Sequence, residues 1–278
     1  MRGVFLAAAC VSVLCVLLIC LFLFVNGVPA IGEIGPLRFL AGTSWRPGNG
    51  LYGIAPMILG SLYVTAGAIL FGVPLGLLTA VFMASFCGKR LHGVASPLIS
   101  LLAGIPSVVY GFFGLVVMVP AVRLLFGSDE TGGKSMLTAS LLLGIMILPT
   151  IVSVSETAIR AVPDIYYEGA LALGATHERA VFFAVLPAAK SGVMAAVILG
   201  VGRSIGETMA VIMVAGNQAV IPGNPLHGLR TMTANIVLEM GYAADLHREA
   251  LISTSVVLFV FILLINFLFS LAKRGQTL

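Results

Sequence analysis

Six apolar segments, each long enough to cross a lipid bilayer, restrict the fold of this 278-residue chain more than any other feature. About 20 apolar residues in a helix span the hydrocarbon core. Inside that core every backbone N–H and C=O must find its partner within the protein, which leaves helices or closed barrels. Membrane-spanning helices are therefore predicted at residues 4–25, 54–86, 94–122, 137–159, 191–216 and 251–272.

Composition supports an all-α polytopic membrane protein. Only 9% of the residues are charged and 59% are hydrophobic, whereas soluble domains carry about 25% charged residues. The mean hydropathy of +1.12 indicates several spans with short connections. The net charge of +4 includes no run of five or six basic residues, so no nucleic-acid partner is predicted.

The first apolar segment has two interpretations. A signal peptide would also begin with a positive residue such as Arg2, but the apolar core of a signal peptide has only about 7–15 residues. An uncleaved first helix is therefore favoured. Residues 1–53 are predicted to form this helix and an outer loop, and residues 54–278 a transmembrane domain.

Basic residues at the ends of spans predict the orientation. Lys89-Arg90 and Lys273-Arg274 directly adjoin apolar segments, where the positive-inside rule has the most weight. Both termini are therefore predicted to be cytoplasmic, in a multi-pass protein of the inner membrane.

The same orientation places one long loop, residues 160–190, on the cytoplasmic side. It begins at Pro163-Asp164, a helix-start signal, and contains Glu168-Gly169-Ala170, three residues, Gly174, nine residues and Ala184-Val185-Leu186-Pro187. A glycine between two short helices permits a sharp bend, so the loop is predicted to form a compact knob that contacts a partner. The alternative is an amphipathic helix on the membrane surface.

The fifth apolar segment contains the charged sequence Gly202-Arg203-Ser204-Ile205-Gly206-Glu207-Thr208. A charge at the bilayer centre costs on the order of 3 kcal/mol or more, so such residues usually mark a substrate path. Arg203 and Glu207 are four residues apart, so they are predicted to share one helix face. We therefore predict a substrate path lined by Arg203, Glu207, Ser204 and Thr208, the alternative being an ion pair that only fixes helix packing.

The loop pattern resembles the EAA motif of ABC importer permeases, with Gly169 and Ala184 in place of the usual Ala and Ile. Three motifs also resemble the C-type permease subunit of phosphate importers over roughly residues 50–272. They are Leu102-Ala103-Gly104-Ile105-Pro106-Ser107-Val108-Val109-Tyr110-Gly111, Leu171-Ala172-Leu173-Gly174-Ala175-Thr176, and Gly206-Glu207-Thr208-Met209-Ala210-Val211 with Gly216-Asn217.

This resemblance implies a permease of the type I ABC importer fold that translocates inorganic phosphate and is not an enzyme. It implies a heterodimer with a second, A-type permease, two ATPase subunits, an extracytoplasmic phosphate-binding protein and surrounding membrane lipid. ATP and Mg would bind the ATPase, and this chain would carry no cofactor and no metal. The residues expected to couple to the ATPase are Glu168, Gly169, Ala170, Gly174, Leu186 and Pro187.

Other functions remain open at this stage. The substrate could be another oxyanion, such as sulfate, tungstate or a phosphonate. Arg203 and Glu207 could instead serve an intramembrane lipid-modifying enzyme, or the chain could be a scaffold without a pore. Residues 127–135 approach a P-loop, but Ser128 occupies the position of its first glycine, so a flexible hairpin is predicted there instead.

Overall fold

The protein is described by a computed structural model that covers residues 1–127 and 132–274, with side chains through Phe267. The described residues form fourteen α-helices and one two-stranded hairpin. The helices of the first half are α1 (Arg2–Ile34), α2 (Pro36–Ala41), α3 (Ala55–Val81), α4 (Lys89–Gly104), α5 (Ser107–Phe113), α6 (Val119–Phe126) and α7 (Met136–Arg160). The predicted hairpin at 127–135 lies partly outside the described residues.

Shorter helices predominate in the second half. They are α8 (Asp164–Ala172), α9 (His177–Ala180), α10 (Leu186–Ala188), α11 (Lys190–Gly206), α12 (Met209–Val214) and α13 (Met232–Glu239), followed by the long α14 (Asp245–Arg274). Strands β1 (Trp45–Arg46) and β2 (Leu51–Tyr52) pair antiparallel. Three π-turns extend neighbouring helices, at Phe82–Phe86, Gly114–Met118 and Val181–Val185.

The predicted all-α fold with about six spans is confirmed. Among the described residues, five helical stretches are long and apolar enough to cross a membrane: Arg2–Ile34, Ala55–Phe86, Ser107–Phe126, Met136–Arg160 and Asp245–Phe267. The number is six if a helix pair bent by 70°, His177–Ala188 followed by α11, is counted as one span. The bounds predicted for the second and fourth spans agree with the structure within one residue.

Helices α3 and α7 form the centre of the bundle because small residues let them approach closely. A Cβ placed on Gly72 would lie 2.8 Å from the Gly144 carbonyl oxygen, and one on Gly76 would lie 2.8 Å from the Ile151 side chain. Such small-residue contacts are typical of packed membrane helices. The side chains buried between these helices include Leu142, Leu143, Met146 and Ile147.

The prediction of one continuous third span at 94–122 is wrong. Helix α4 ends at Gly104, Ile105 is extended with φ −69° and ψ 127°, and a new helix starts at Ser107. Proline disfavours the α conformation for the residue before it, so Pro106 separates the two helices. The apolar run continues through this break, which is why hydropathy alone does not reveal it.

The prediction of one continuous fifth span at 191–216 is also wrong. Helix α11 ends at Gly206, Glu207 is extended with φ −70° and ψ 130°, and α12 begins at Met209. Glu207 therefore lies in the break between two helices. Because α11 ends at Gly206, the four-residue spacing does not place Glu207 on the helical face that carries Arg203.

The first helix, α1, is longer than predicted and packs along α14. Its closest approach is at Gly27, whose carbonyl oxygen accepts a hydrogen bond of 2.7 Å from the buried Ser253 hydroxyl. The Phe24 and Phe259 rings meet edge to face nearby. A buried cluster that includes Phe39, Trp45 and Leu251 joins the adjoining segment to the start of α14. Residues 1–53 are thus attached mainly through the last helix.

Candidate functional site

The helices that follow the two breaks, α5 and α12, pack against each other. A Cβ placed on Gly111 of α5 would lie 3.0 Å from Ala210 Cα and 2.7 Å from Met213 Sδ of α12. The break before α5 is held by the Tyr110 hydroxyl, which donates a 2.8 Å hydrogen bond to the Leu102 carbonyl at the end of α4. Interrupted helices of this kind form substrate sites in other transporters, because backbone groups become accessible there.

Arg203 lies in the last turn of α11, one turn before the break. Its side chain is half-buried, and it makes no hydrogen bond or ion pair with any residue of the described parts of the chain. It lies close enough to the Tyr110 hydroxyl for an electrostatic interaction. A guanidinium group carries five N–H donors in a planar fork and stays charged at physiological pH, so Arg203 presents a charged group with no hydrogen-bond partner among the described residues.

Glu207 caps the helix that follows the break. Its Oε1 accepts hydrogen bonds from the backbone N–H groups of Thr208, at 3.2 Å, and Ala210, at 3.4 Å. These groups start α12, where a carboxylate is favoured by the unpaired N–H groups and the helix dipole. No ion pair joins Glu207 to Arg203 within the described ranges. The predicted shared face is therefore wrong, because the backbone changes direction between the two residues.

The two predicted hydroxyl residues differ in their surroundings. Thr208 is half-buried at the break, and its hydroxyl donates to the Gly206 carbonyl at 3.2 Å. Ser204 is only 3% exposed and its Oγ has no partner among the described residues. Ser204 thus faces the interior of its own bundle. The structure brings Arg203, Glu207 and Thr208 together near the break and points Ser204 away from its surface.

The short helix α13 lies directly against the break. Hydropathy did not indicate that this helix belongs to the site. The Thr233 hydroxyl donates a 3.2 Å hydrogen bond to the Glu207 carbonyl oxygen. The Met232 N–H donates to the Ser61 hydroxyl near the start of α3, at 3.0 Å. Thr231 caps the helix by accepting from the Ala234 N–H. The Thr231 cap was visible in the sequence, but the contact with Glu207 depends on tertiary structure.

The far end of α13 is held by the buried carboxylate of Glu239. Its Oε1 accepts from Arg230 Nη1 at 2.6 Å, and its Oε2 accepts from Trp45 Nε1 at 2.8 Å and is 2.9 Å from His247 Nε2. A buried carboxylate requires such partners because it has lost its water. Glu239 therefore ties α13 to the β1 strand and to the start of α14.

The predicted coupling loop lies at the opposite end of α3 from α13. As predicted, it contains two short helices, α8 and α9, joined at Gly174 with φ +83°. This backbone conformation favours glycine. In the same loop, a hydrogen bond from its own backbone N–H and another from the Thr176 hydroxyl lower the pKa of the Glu178 carboxyl, which is therefore ionised at neutral pH.

The predicted coupling residues are mostly accessible. Glu168, Gly169, Gly174 and Pro187 are exposed, while Ala170 and Leu186 are half-buried. Leu173, beside the turn, is 92% exposed, and Phe183 is 80% exposed. Exposed large apolar side chains of this kind mark a surface that another protein or the membrane covers. Within the described residues, no group of three or more His, Cys, Asp or Glu side chains is placed to hold a metal ion.

Residues 72–276 match the family of inner membrane components of binding-protein-dependent transport systems. The chain belongs to this family. The permease is a multi-pass inner-membrane protein and a subunit of a transporter, and permeases of this family act with an ATPase and a binding protein.

Curated relatives agree with this assignment. The chain is 39% identical to the probable ABC transporter permease protein YqgH of Bacillus subtilis, over 98% of this chain and 91% of that protein. It is 33% identical to the phosphate transport system permease protein PstC of Mesorhizobium japonicum, over 87% and 80% of the two chains. It is 35% identical to PstC of Haemophilus influenzae, over 80% and 76%. The predicted resemblance to C-type permeases is confirmed.

Solved structures confirm the type I importer permease fold. An inward-facing MetNI methionine ABC transporter matches with a TM-score of 0.65 and 20% identity, over 84% of this permease and 99% of that chain. A bacterial ABC transporter that imports the acidic polysaccharide alginate matches with a TM-score of 0.62 and 17% identity, over 97% and 96%. At these identities the likeness concerns the fold alone.

Substituting Glu207 separates its capping role from its charge. Gln keeps an acceptor oxygen for the Thr208 and Ala210 N–H groups, whereas Ala removes it. We expect Glu207→Ala to destabilise the permease by about 1 kcal/mol, a usual cost of losing a cap, and Glu207→Gln to destabilise it less. Thermal unfolding of the purified complex measures this. Equal melting temperatures for the two variants would contradict the capping role.

Proposed function

We propose that this permease moves inorganic phosphate across the cytoplasmic membrane, along a path that passes the paired helix breaks. The observation that carries the proposal is the unpartnered guanidinium of Arg203 beside the break at Glu207. The relatives named as phosphate transport system permeases support the choice of anion. Arginine suits this role because its planar fork matches the geometry of phosphate oxygens.

The path residues have complementary roles in this proposal. Arg203 attracts the anion into the membrane and binds its oxygens. The Glu207 carboxylate is held as the α12 cap, and its negative charge keeps Arg203 from retaining phosphate too long. Conduction requires binding strong enough for entry and weak enough for release. Thr208, and Ser204 after a rotation of α11, complete the predicted set with hydroxyl groups.

The path would be completed by a second, A-type permease. A Cβ placed on Gly202 or Gly206 would have no neighbouring atom within 4 Å, so the surface of α11 next to Arg203 is open to another helix. The complete importer would contain this heterodimer, two ATPase subunits that bind ATP and Mg, and an extracytoplasmic phosphate-binding protein. This chain would hold no cofactor and make or break no bonds.

The loop between α7 and α11 would dock on the ATPase. The exposed Leu173 and the turn at Gly174 lie near the middle of the loop sequence, away from both flanking spans. Glu168, Gly169, Ala170 and Gly174 would lie at the contact, with Leu186 and Pro187 at the base of the loop. Residues 1–53 would be an N-terminal helix and outer segment added to the permease domain of residues 54–278.

Charge exchange at the path tests the role of Arg203. Because no ion pair joins Arg203 to Glu207, exchanging the charges should not preserve function. We expect Arg203→Gln, and Arg203→Glu combined with Glu207→Arg, to reduce phosphate uptake at least about tenfold, since a charged hydrogen bond contributes about 1.5–3 kcal/mol. Uptake is measured with labelled phosphate and corrected for membrane abundance.

The control is Arg123→Gln, which removes an exposed arginine that lies beyond the breaks on α6. It should leave uptake unchanged. Substantial uptake by the charge-exchanged variant would falsify the role of Arg203. Wild-type uptake that sulfate or tungstate inhibits as strongly as phosphate would contradict the proposed substrate.

A substitution at Gly174 tests the coupling loop. A Cβ at Gly174 meets no atom within 4 Å, but the φ of +83° is strained for any L side chain. We expect Gly174→Val to weaken ATPase association and uptake while the protein still inserts. Gly93→Ala, a change at an exposed position of α4 with free space around it and outside the coupling loop, is the control. Normal copurification of the ATPase with normal uptake in Gly174→Val would count against docking through this turn.

The orientation is tested by labelling single cysteines in a cysteine-free background. Trp45 is buried and Asp129 lies outside the described residues, so Asn49 and Asn224, both exposed, are the better outer positions. We expect a membrane-impermeant maleimide to label cysteines at these positions in intact cells. It should not label cysteines at Lys89 or Glu178, and the reverse pattern would overturn the orientation with both termini inside.

A further inference from the structure

The end of α3 nearest the coupling loop is capped by side chains from other elements. A helix C-terminus leaves its last carbonyl groups without intrahelical donors. Here α3 continues into the π-turn Phe82–Phe86 and stops at the extended Cys87. The Met83 carbonyl accepts from Arg160 Nη2 at 2.8 Å, and the Ser85 carbonyl lies 3.2 Å from His177 Nε2.

The His177 ring joins three separate helices. Its Nδ1 is 2.8 Å from the Tyr167 hydroxyl of α8, and its Nε2 faces the Ser85 carbonyl of the α3 turn. A carbonyl can only accept, so Nε2 carries the proton, and in the neutral ring Nδ1 accepts from Tyr167. The Phe86 ring packs on the imidazole with centroids 4.7 Å apart. The bonds and the packing together hold the ring in one orientation.

A cleft lies on one side of this bond, while apolar side chains pack between the loop and the end of α3 elsewhere. The cleft is open, has a volume of about 410 Å³ and is lined in part by Ser85, Arg160, Asp164, Tyr167 and His177. Arg160 also bonds the turn, but it is the last residue of α7 and belongs to neither α8 nor α9. Between residues 164–180 and α3 with its turn, as far as the structure describes them, the His177–Ser85 contact is the one hydrogen bond.

Helix α3 connects this contact to the opposite end of the molecule. Its Ser61 hydroxyl accepts from the Met232 N–H of α13, and the neighbouring Thr233 donates to the Glu207 carbonyl at the break. A movement of the α3 turn would therefore reach the break through one long helix and two hydrogen bonds.

We propose that His177 is a positioning residue that transmits movement of the loop to α3 and so couples ATP hydrolysis to opening of the path. The inference rests on the proposed docking of the loop on the ATPase. Without this bond, α8 and α9 contact the end of α3 through apolar packing alone, which fixes their relative position less than a directed hydrogen bond, so more of the shift of the loop is lost before it reaches α3. Loss of His177 then uncouples hydrolysis from transport without loss of assembly.

The test uses the complete importer with its binding protein, reconstituted in proteoliposomes, and measures phosphate imported per ATP hydrolysed. His177→Gln retains an N–H donor near the position of Nε2, whereas His177→Asn places its amide near Nδ1 and does not reach Ser85. We expect the Asn variant to lower the ratio about tenfold, a usual size for coupling between sites. The Gln variant should restore most of the ratio.

Two further variants keep the test informative. His177→Phe preserves the ring packing and removes both hydrogen bonds, so it replaces the Asn variant if that one fails to assemble. His92→Asn is the matched control, since His92 Nε2 contacts the Glu156 carboxylate of α7 at 2.6 Å and not the loop. The control should keep the wild-type ratio.

The outcomes separate this inference from the proposed function. A wild-type complex that imports no phosphate, or whose loop does not bind the ATPase, refutes the proposed function. A wild-type complex that couples normally, together with an unchanged ratio in an assembled Asn or Phe variant, overturns the role of His177. A lowered ratio with rescue by Gln supports it, because a general packing defect would not depend on the position of one N–H group.

Discussion

Inside the hydrocarbon core of the bilayer, every backbone N–H and C=O group needs a hydrogen-bond partner within the protein, and this requirement governs the structure. A continuous helix meets that need alone, but in two apolar segments of this permease the helix is interrupted, at Ile105-Pro106 and at Glu207-Thr208. The groups released at these breaks are satisfied by side chains. The Tyr110 hydroxyl bonds the Leu102 carbonyl, and the Glu207 carboxylate bonds the N–H groups that start α12.

This use of Glu207 as a cap explains why Arg203 remains free. Had both residues stayed in one helix, they would have been four residues apart and able to neutralise each other. The break commits the carboxylate to backbone donors and leaves the guanidinium half-buried without a fixed partner. For the proposed phosphate path this arrangement is favourable, because no internal salt bridge must be broken before an anion binds Arg203.

The two ends of the permease are linked by its most tightly packed element. Gly72 and Gly76 bring α3 into close contact with α7. Close-packed helices transmit displacement with little deformation. One end of α3 contacts α13, which rests on the Glu207 break, and the other carries the turn bonded to His177. Helix α1, by contrast, packs chiefly on α14 and lies outside this connection.

By itself the sequence determined the all-α fold, the spans at α3 and α7, and the two-helix loop with its bend at Gly174. These follow from the length of apolar runs, from helix propensity and from glycine conformation, which are local properties. Pro106 also signalled its break, but the apolar run masked it. The break at Glu207, its capping role and the contacts of α13 and His177 were decided by tertiary structure. The physical reason is that a carboxylate or an imidazole can bond several alternative partners, and only packing of distant helices determines which of them lies within reach.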